Sequence, residues 1–290
     1  MGEIIVKKPG LHTSIQDIGR ENWRHFGVPV GGAMDLRSAR LANLLTNNEE
    51  NTPVIEITMI GPELQFTEPA IIALTGANLS PNLDGKIVRV NQNLQVMGGQ
   101  TLSFGKPIQG IRTYLSIKGG FDCPKVLGSY SQFSMVTSSG NLQEGDRVTY
   151  RPQIGSSKNH AIVHINPQHF TSKTLKAHPG PEFDLLSDQA RQMLLNKSFH
   201  INANNRMGYQ LTHPDMPPHQ LEIVTAPVIP GTVQLTPSGQ LIALMRDAQV
   251  TGGYPRVLQL TKEGVDQLAQ KTNGQSILFQ LIEVIPPVYN

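Results

Sequence analysis

A single cysteine in 290 residues, Cys123, excludes an intrachain disulfide framework and points to a reducing compartment. Pro124 follows it and no base stands close in sequence, so nothing visible lowers the thiol pKa and a nucleophilic role is disfavoured. No apolar run approaches the ~20 residues a membrane helix needs. Met1-Gly2-Glu3 leads straight into Ile4-Ile5-Val6, without the cationic start and long apolar stretch of a signal peptide. The expectation is a soluble, cytoplasmic chain. Charged residues are only 16% of the sequence, with a net charge of +2, and no Lys/Arg-rich cluster with interleaved aromatics occurs. That argues against an electrostatic nucleic-acid binder. Also missing are Gly-x-x-x-x-Gly-Lys-Ser/Thr, Gly-x-Gly-x-x-Gly opening a helix, His-Glu-x-x-His and Gly-x-Ser-x-Gly. Their absence removes the standard phosphate loop, dinucleotide fold, zinc protease and serine-hydrolase elbow. His160 and His164 could share a strand face, but two ligands fall short of a metal site, and none is expected.

Turn formers and short β-patterned runs are plentiful instead. Glycine and proline, 27 and 21 residues, make up roughly a sixth of the chain. Val54 to Ile60 alternates, with Ile55, Ile57 and Met59 on one face and Glu56 and Thr58 on the other. Ala70 to Leu74 reads as a fully buried strand stopping at Gly76. Asp84-Gly85 predicts a tight hairpin between Asn82-Leu83 and Ile87-Val88. Leu94 to Phe104 carries two short strands around Gly98-Gly99, and Thr113, Leu115 and Ile117 alternate with polar neighbours. Helices are few. Asp35 caps one over Leu36 to Leu45, with Leu41, Leu44 and Leu45 at i, i+3, i+4 spacing. A second is expected over 183–195, and a third follows Thr261 and ends near Asn273-Gly274. The polar stretch Arg151 to His160 lacks apolar periodicity, which sets expected domains of 1–155 and 156–290.

Four clusters carry candidate chemistry. Gln16-Asp17-Ile18-Gly19-Arg20 holds a carboxylate and a guanidinium that either pair with each other or leave Arg20 to bind an anion. Gly31-Gly32-Ala33-Met34-Asp35 opens a helix, where glycines suit anion approach although Asp35 itself can fill the cap. Glu56 is either solvated on an open face or enclosed and able to move protons. Asn204-Asn205-Arg206-Met207-Gly208 places Arg206 as a substrate clamp or a plain surface arginine. Most informative is Asp247-Ala248-Gln249-Val250-Thr251-Gly252-Gly253-Tyr254-Pro255, which leaves the apolar run Leu241 to Met245. A rigid strand end delivers a carboxylate, an amide and a hydroxyl to a diglycine turn, where bare backbone can approach a ligand.

These clusters, in this order, resemble the carboxyltransferase family once called allophanate hydrolase subunit 2, whose bacterial members form the C subunit of ATP-dependent 5-oxoprolinase. The resemblance spans nearly the whole chain. It runs from Pro9-Gly10-Leu11 and Gln16-Asp17-x-Gly19-Arg20 through Gly27-Val28-Pro29, Gly32-Ala33-Met34-Asp35 and Glu56-x-Thr58 with Gly61-Pro62. Leu74-Thr75-Gly76-Ala77, Arg112-x-Tyr114-Leu115, Gly119-Gly120 and Leu127-Gly128-Ser129 follow. The second half adds Pro179-Gly180-Pro181, Arg206-Met207-Gly208 and Thr251-Gly252-Gly253-Tyr254-Pro255. The resemblance implies a mainly β fold of two cyclophilin-like β-barrel domains with a few short helices. It implies a component of an enzyme that opens 5-oxo-L-proline to L-glutamate with ATP hydrolysis, in a complex with subunits B and A.

In that setting Asp247, Glu56 and Arg206 would be catalytic, the carboxylates handling protons. Asp17, Arg20, Met34, Asp35, Gln249, Thr251, Gly252, Gly253 and Tyr254 would bind substrate, with Gln249, Thr251 and the diglycine backbone facing the developing oxyanion. Two alternatives remain: a carboxyltransferase component of a biotin-dependent urea-type carboxylase, and a non-catalytic regulatory partner of the B subunit. The chain has no Met-Lys-Met sequence, so biotin would arrive on another protein. It also departs from the family pattern. Tyr130 and Gln210 stand where relatives usually carry arginine, and Asn205 stands where they carry aspartate.

Overall fold

The computed structural model describes residues 1–152, 163 and 165–282. His160, His164 and the expected boundary between 155 and 156 lie outside the described residues. The chain divides into two compact units: Met1–Trp23 with Val30–Thr171, and Arg24–Pro29 with Ser172–Asn290. Both are mainly β, and among the described residues no helix is long and apolar enough to cross a membrane.

The first unit contains two sheets. One runs edge to edge through Phe121–Asp122, Arg147–Tyr150, Gly2–Lys8, Glu63–Phe66, Thr101–Ser103, Asn82–Leu83 and Lys86–Ile87. The other runs through His12–Gln16, Val54–Thr58, Gln109–Ile117, Ala70–Asn78 and Asn93–Val96. Ile4, Val6, Leu64 and Phe66 from the first join Ile55, Ile57, Ile72 and Leu115 from the second in one apolar core. The second sheet is covered on its far face too, because Ala39 and Ala42 of the Leu36–Leu45 helix pack on Val54 and Tyr114. Burial on both faces explains why residues 111–117 are buried without interruption despite their alternating pattern.

Local signals hold where they are self-contained. The hairpin at Asp84-Gly85 forms with both residues at positive φ, 50° and 80°. Asp35 caps the Leu36–Leu45 helix by accepting from the Ser38 amide at 3.0 Å. The buried face of that helix is Ser38, Ala39, Ala42, Asn43 and Leu45, not the expected leucine stripe, and Leu44 is exposed. Small residues are needed because the sheet comes close. The expected stop at Gly76 is instead a kink within Ala70–Asn78, at φ +85°, and a Cβ there would lie 2.5 Å from the Arg112 carbonyl oxygen. The Val54 strand ends at Thr58, since Met59 turns to φ +56°. The two strands around Gly98-Gly99 form, but they belong to different sheets.

In the second unit seven strands close into a barrel: Thr174–Pro179, Arg256–Leu260, Thr232–Leu235, Leu241–Leu244, Gly208–Thr212, Phe199–Asn204 and Ser276–Leu281. A parallel pairing of Thr174–Pro179 with Ser276–Leu281 completes the ring. The helix expected over 183–195 is a 3₁₀ turn, Phe183–Leu185, then Asp188–Asn196 with Ser187 as its own cap. The helix capped by Thr261 stops at Leu268, short of Asn273, and Asp266, Gln267, Gln270 and Lys271 around its end are buried.

Candidate functional site

In the first unit Asp17 sits just past the His12–Gln16 strand and is nearly buried. Its Oδ1 accepts from the Gly19 amide at 2.8 Å and from the Ser129 and Ser131 hydroxyls, both at 2.6 Å. Its Oδ2 accepts from the Tyr130 amide at 2.8 Å. One carboxylate therefore ties residues 17–19 to residues 129–131. Arg20 is buried beside it and donates from a terminal nitrogen to the Ser131 carbonyl oxygen, so both side chains converge on Ser131. Gly32 lets the next loop approach, since a Cβ there would stand 2.9 Å from the Gly19 nitrogen. The Ala33 amide accordingly donates to the Asp17 carbonyl oxygen at 2.8 Å.

One residue further on, a second buried network begins. The Met34 amide donates to Glu56 Oε2 at 2.7 Å, and the Tyr114 hydroxyl donates to the same oxygen at 2.9 Å. The Asp35 amide donates to the Tyr114 oxygen at 2.8 Å. Glu56, Asp35 and Tyr114 are fully buried, and Arg112 Nε lies 4.0 Å from Glu56 Oε1. Burial, then the neighbouring Glu56 and Asp35 carboxylates, push the Tyr114 hydroxyl well above its ordinary pKa, so it stays a donor. Asp35 Oδ2 also accepts from the Ser38 hydroxyl at 2.7 Å and meets His169 Nε2 at 2.7 Å, with both side chains sealed from solvent.

His169 has no signal as a site residue in the sequence. Tyr114 and Ser129 stand in motifs of the resemblance without being singled out there as site residues, and Ser131 is marked only by the Ser-x-Ser spacing that puts both hydroxyls on one side. Cys123 is packed against the same unit's core, and its thiol is pushed up to about 12 by burial, then by Asp17 and Asp122. That disfavours a thiolate nucleophile.

In the second unit Arg206 and Asp247 form a two-pronged pair, Nε to Oδ2 at 2.7 Å and Nη2 to Oδ1 at 3.0 Å. The Asp247 amide donates to the Arg206 carbonyl oxygen at 2.9 Å, so backbone and side chains lock the two loops together. Asn205 Oδ1 accepts from the Met207 and Gly208 amides at 2.8 and 3.0 Å. An amide oxygen therefore shapes this turn as a carboxylate would. Gln210 is exposed on its strand. Gln249, Thr251, Gly253 and Tyr254 are exposed, and Thr251–Gly252 pairs with Ala226–Pro227. Gly252 is filled from below by Gln234, whose Nε2 would lie 2.3 Å from a Cβ there and donates to the Tyr254 carbonyl oxygen at 3.3 Å. Nearby, Arg24 donates to the Val228 and Val250 carbonyl oxygens, holding residues 24–29 in this unit. Among the described residues no group of three His, Cys, Asp or Glu side chains is placed to hold a metal ion.

Comparison with known proteins agrees with this architecture. The family described as "Carboxyltransferase domain, subdomain A and B" matches residues 26–281. The C subunit of 5-oxoprolinase from Escherichia coli K12 is 34% identical over 279 residues, covering 94% of this chain and 89% of that protein. The solved protein TTHA0988 superposes with a TM-score of 0.86 at 28% identity, over 97% of this chain and 56% of that one. The urea carboxylase of Kluyveromyces lactis superposes with a TM-score of 0.84 at 27% identity, and this chain spans 27% of its length. The chain belongs to the carboxyltransferase domain family, subdomain A and B.

Proposed function

We propose that this chain is a component of an ATP-dependent 5-oxoprolinase, which opens the lactam of 5-oxo-L-proline to L-glutamate in a complex with subunits B and A. The observation carrying this reading is the extent of the match to the C subunit of 5-oxoprolinase, 94% of this chain and 89% of the relative. The match to the urea carboxylase structure takes in only 27% of that protein. Two geometric features support a role in positioning. Asp17, Arg20, Met34, Asp35 and Glu56 bond the protein's own backbone or neighbouring side chains and hold two loops rigid. Arg206 and Asp247 fix the exposed run Gln249 to Tyr254 through the backbone that joins them.

Within this reading Asp247 and Arg206 remain the residues proposed to act in catalysis. Glu56, fully buried and held by the Met34 amide and the Tyr114 hydroxyl, is proposed to position its loop in place of the catalytic role expected from the sequence. Gln249, Thr251, Gly252, Gly253 and Tyr254 form the exposed surface proposed to meet substrate or a partner protein. The chain has no phosphate loop, so ATP would be bound either by a different kind of site or by a partner chain. The test is reconstitution of the tagged chain with its co-purifying partners. ATP hydrolysis that depends on 5-oxo-L-proline supports the assignment, and hydrolysis no faster than background refutes it. The urea carboxylase relatives support a second reading, a biotin-dependent carboxyltransferase. Urea-dependent consumption of carboxybiotin in the same mixture would select it. Activity changes in a partner with neither reaction would select the regulatory role.

A further inference from the structure

The loops that Asp17 ties together enclose a cleft of about 440 Å³ within the first unit, lined in part by Glu21, Asn22, Trp23, Asn51, Lys125 and Tyr130. That volume lies in the range of small-molecule sites. The polar groups in it are of two kinds. Asp17 is saturated, with both oxygens accepting from backbone amides and serine hydroxyls. The side chains of Lys125, Glu21, Asn22 and Asn51 have no hydrogen-bond or ion-pair partner among the described residues. The Lys125 ammonium lies 5.1 Å from the centre of the Tyr130 ring, so it is oriented by a neutral aromatic face and not neutralised by a carboxylate.

We propose that this cleft binds a small cyclic amide bearing one carboxylate. The Lys125 ammonium pairs with that carboxylate. Asn22 and Asn51 each carry an acceptor oxygen beside donor hydrogens, the complement of an amide's own donor and acceptor. Glu21 accepts the ring N–H, and Trp23 and Tyr130 give the ring an apolar wall. A single carboxylate suits the site better than a phosphate chain, because one lysine lines the cleft together with the Asp17 and Glu21 carboxylates, which repel a multiply charged ligand more strongly. Arg20 is not the anion's partner here: it is buried and donates to the Ser131 carbonyl oxygen. The identification of the ligand as 5-oxo-L-proline rests on the proposed function; the class of ligand rests on the cleft.

The test is calorimetric titration of the full chain with 5-oxo-L-proline, 2-pyrrolidone and L-proline, repeated on Lys125→Met and Lys125→Arg. Lys125 is exposed, and melting curves would confirm that both variants fold. Losing one charge-assisted bond should weaken 5-oxo-L-proline about tenfold or more in Lys125→Met. Lys125→Arg should recover most of it, and 2-pyrrolidone, which lacks the carboxylate, should respond to neither change. In the reconstituted complex Lys125→Met should raise KM by the same factor with kcat little changed. Equal affinity and equal KM in wild type and Lys125→Met overturn the site while leaving the 5-oxoprolinase reading intact. A complex without 5-oxoproline-dependent ATP hydrolysis, whose chain still binds 5-oxo-L-proline through Lys125, overturns that reading and keeps the site. Absence of Lys125-dependent binding to any of these ligands, with KM unchanged, overturns the site.

Discussion

Replacing Asp17 by asparagine removes one charge and turns one oxygen into a donor while leaving the shape intact. Four donors converge on that carboxylate at 2.6 to 2.8 Å. The two serine hydroxyls can rotate, but the Gly19 and Tyr130 amides are fixed by the backbone. If the asparagine oxygen takes the Gly19 side, its NH₂ meets the Tyr130 amide donor to donor. One buried amide is then unsatisfied, at a cost of about 1–3 kcal/mol, and the remaining bonds change from charge-assisted to neutral. Because the four bonds share one acceptor their losses do not add, and the expected destabilisation is about 2–4 kcal/mol. Trp23, the only tryptophan, lines the same cleft, so its fluorescence during urea denaturation reports on the affected loops. Transitions of the two units are fitted separately wherever they separate. A loss below about 1 kcal/mol would refute the view of Asp17 as the tie between these loops. So would normal stability combined with lost 5-oxoproline binding, which would make Asp17 a direct substrate contact.

Gly76→Ala puts a Cβ against the Arg112 carbonyl oxygen at a positive φ, and should lower the stability of the first unit by about 2–4 kcal/mol in denaturant titration. Arg206→Lys keeps the charge but loses the fork, and should cost the second unit about 1–3 kcal/mol, with faster proteolysis in the loop that begins at Gln249. Burial, then Lys173, lowers the Lys271 pKa from 10.5 to about 8. Between those values the unfolded chain holds the proton and the folded chain does not, so stability rises with pH across that window. Below pH 8 both states are protonated and the full cost of the buried charge is present. Lys271→Met should therefore show a shallower rise than wild type when melting is compared from pH 7.5 to 10.

The ordered motifs along the chain identified the carboxyltransferase family and the mainly β fold, while what could be read from the residues themselves was local. The Asp84-Gly85 turn, the Asp35 and Thr261 caps and the strand-rich character each depend on neighbours a few residues away. The Leu36–Leu45 helix is legible as a helix, but its buried face is not. That face is set by the close passage of the sheet at Gly76, where small side chains pack, so Leu45 is buried as periodicity favours but Leu44 is turned out to solvent. Ser129, Ser131 and His169 escape notice because they meet their carboxylates across 112, 114 and 134 residues of chain. Arg206 and Asp247 stand out as candidates, but only the fold shows that they hold each other.

The most direct measurement follows isotope-labelled 5-oxo-L-proline in the reconstituted complex with and without this chain. Labelled glutamate forming in step with ATP consumption, and only when the chain is present, is the expected result. Glutamate forming equally well in its absence, or no glutamate beside urea-dependent turnover of carboxybiotin, would contradict the assignment.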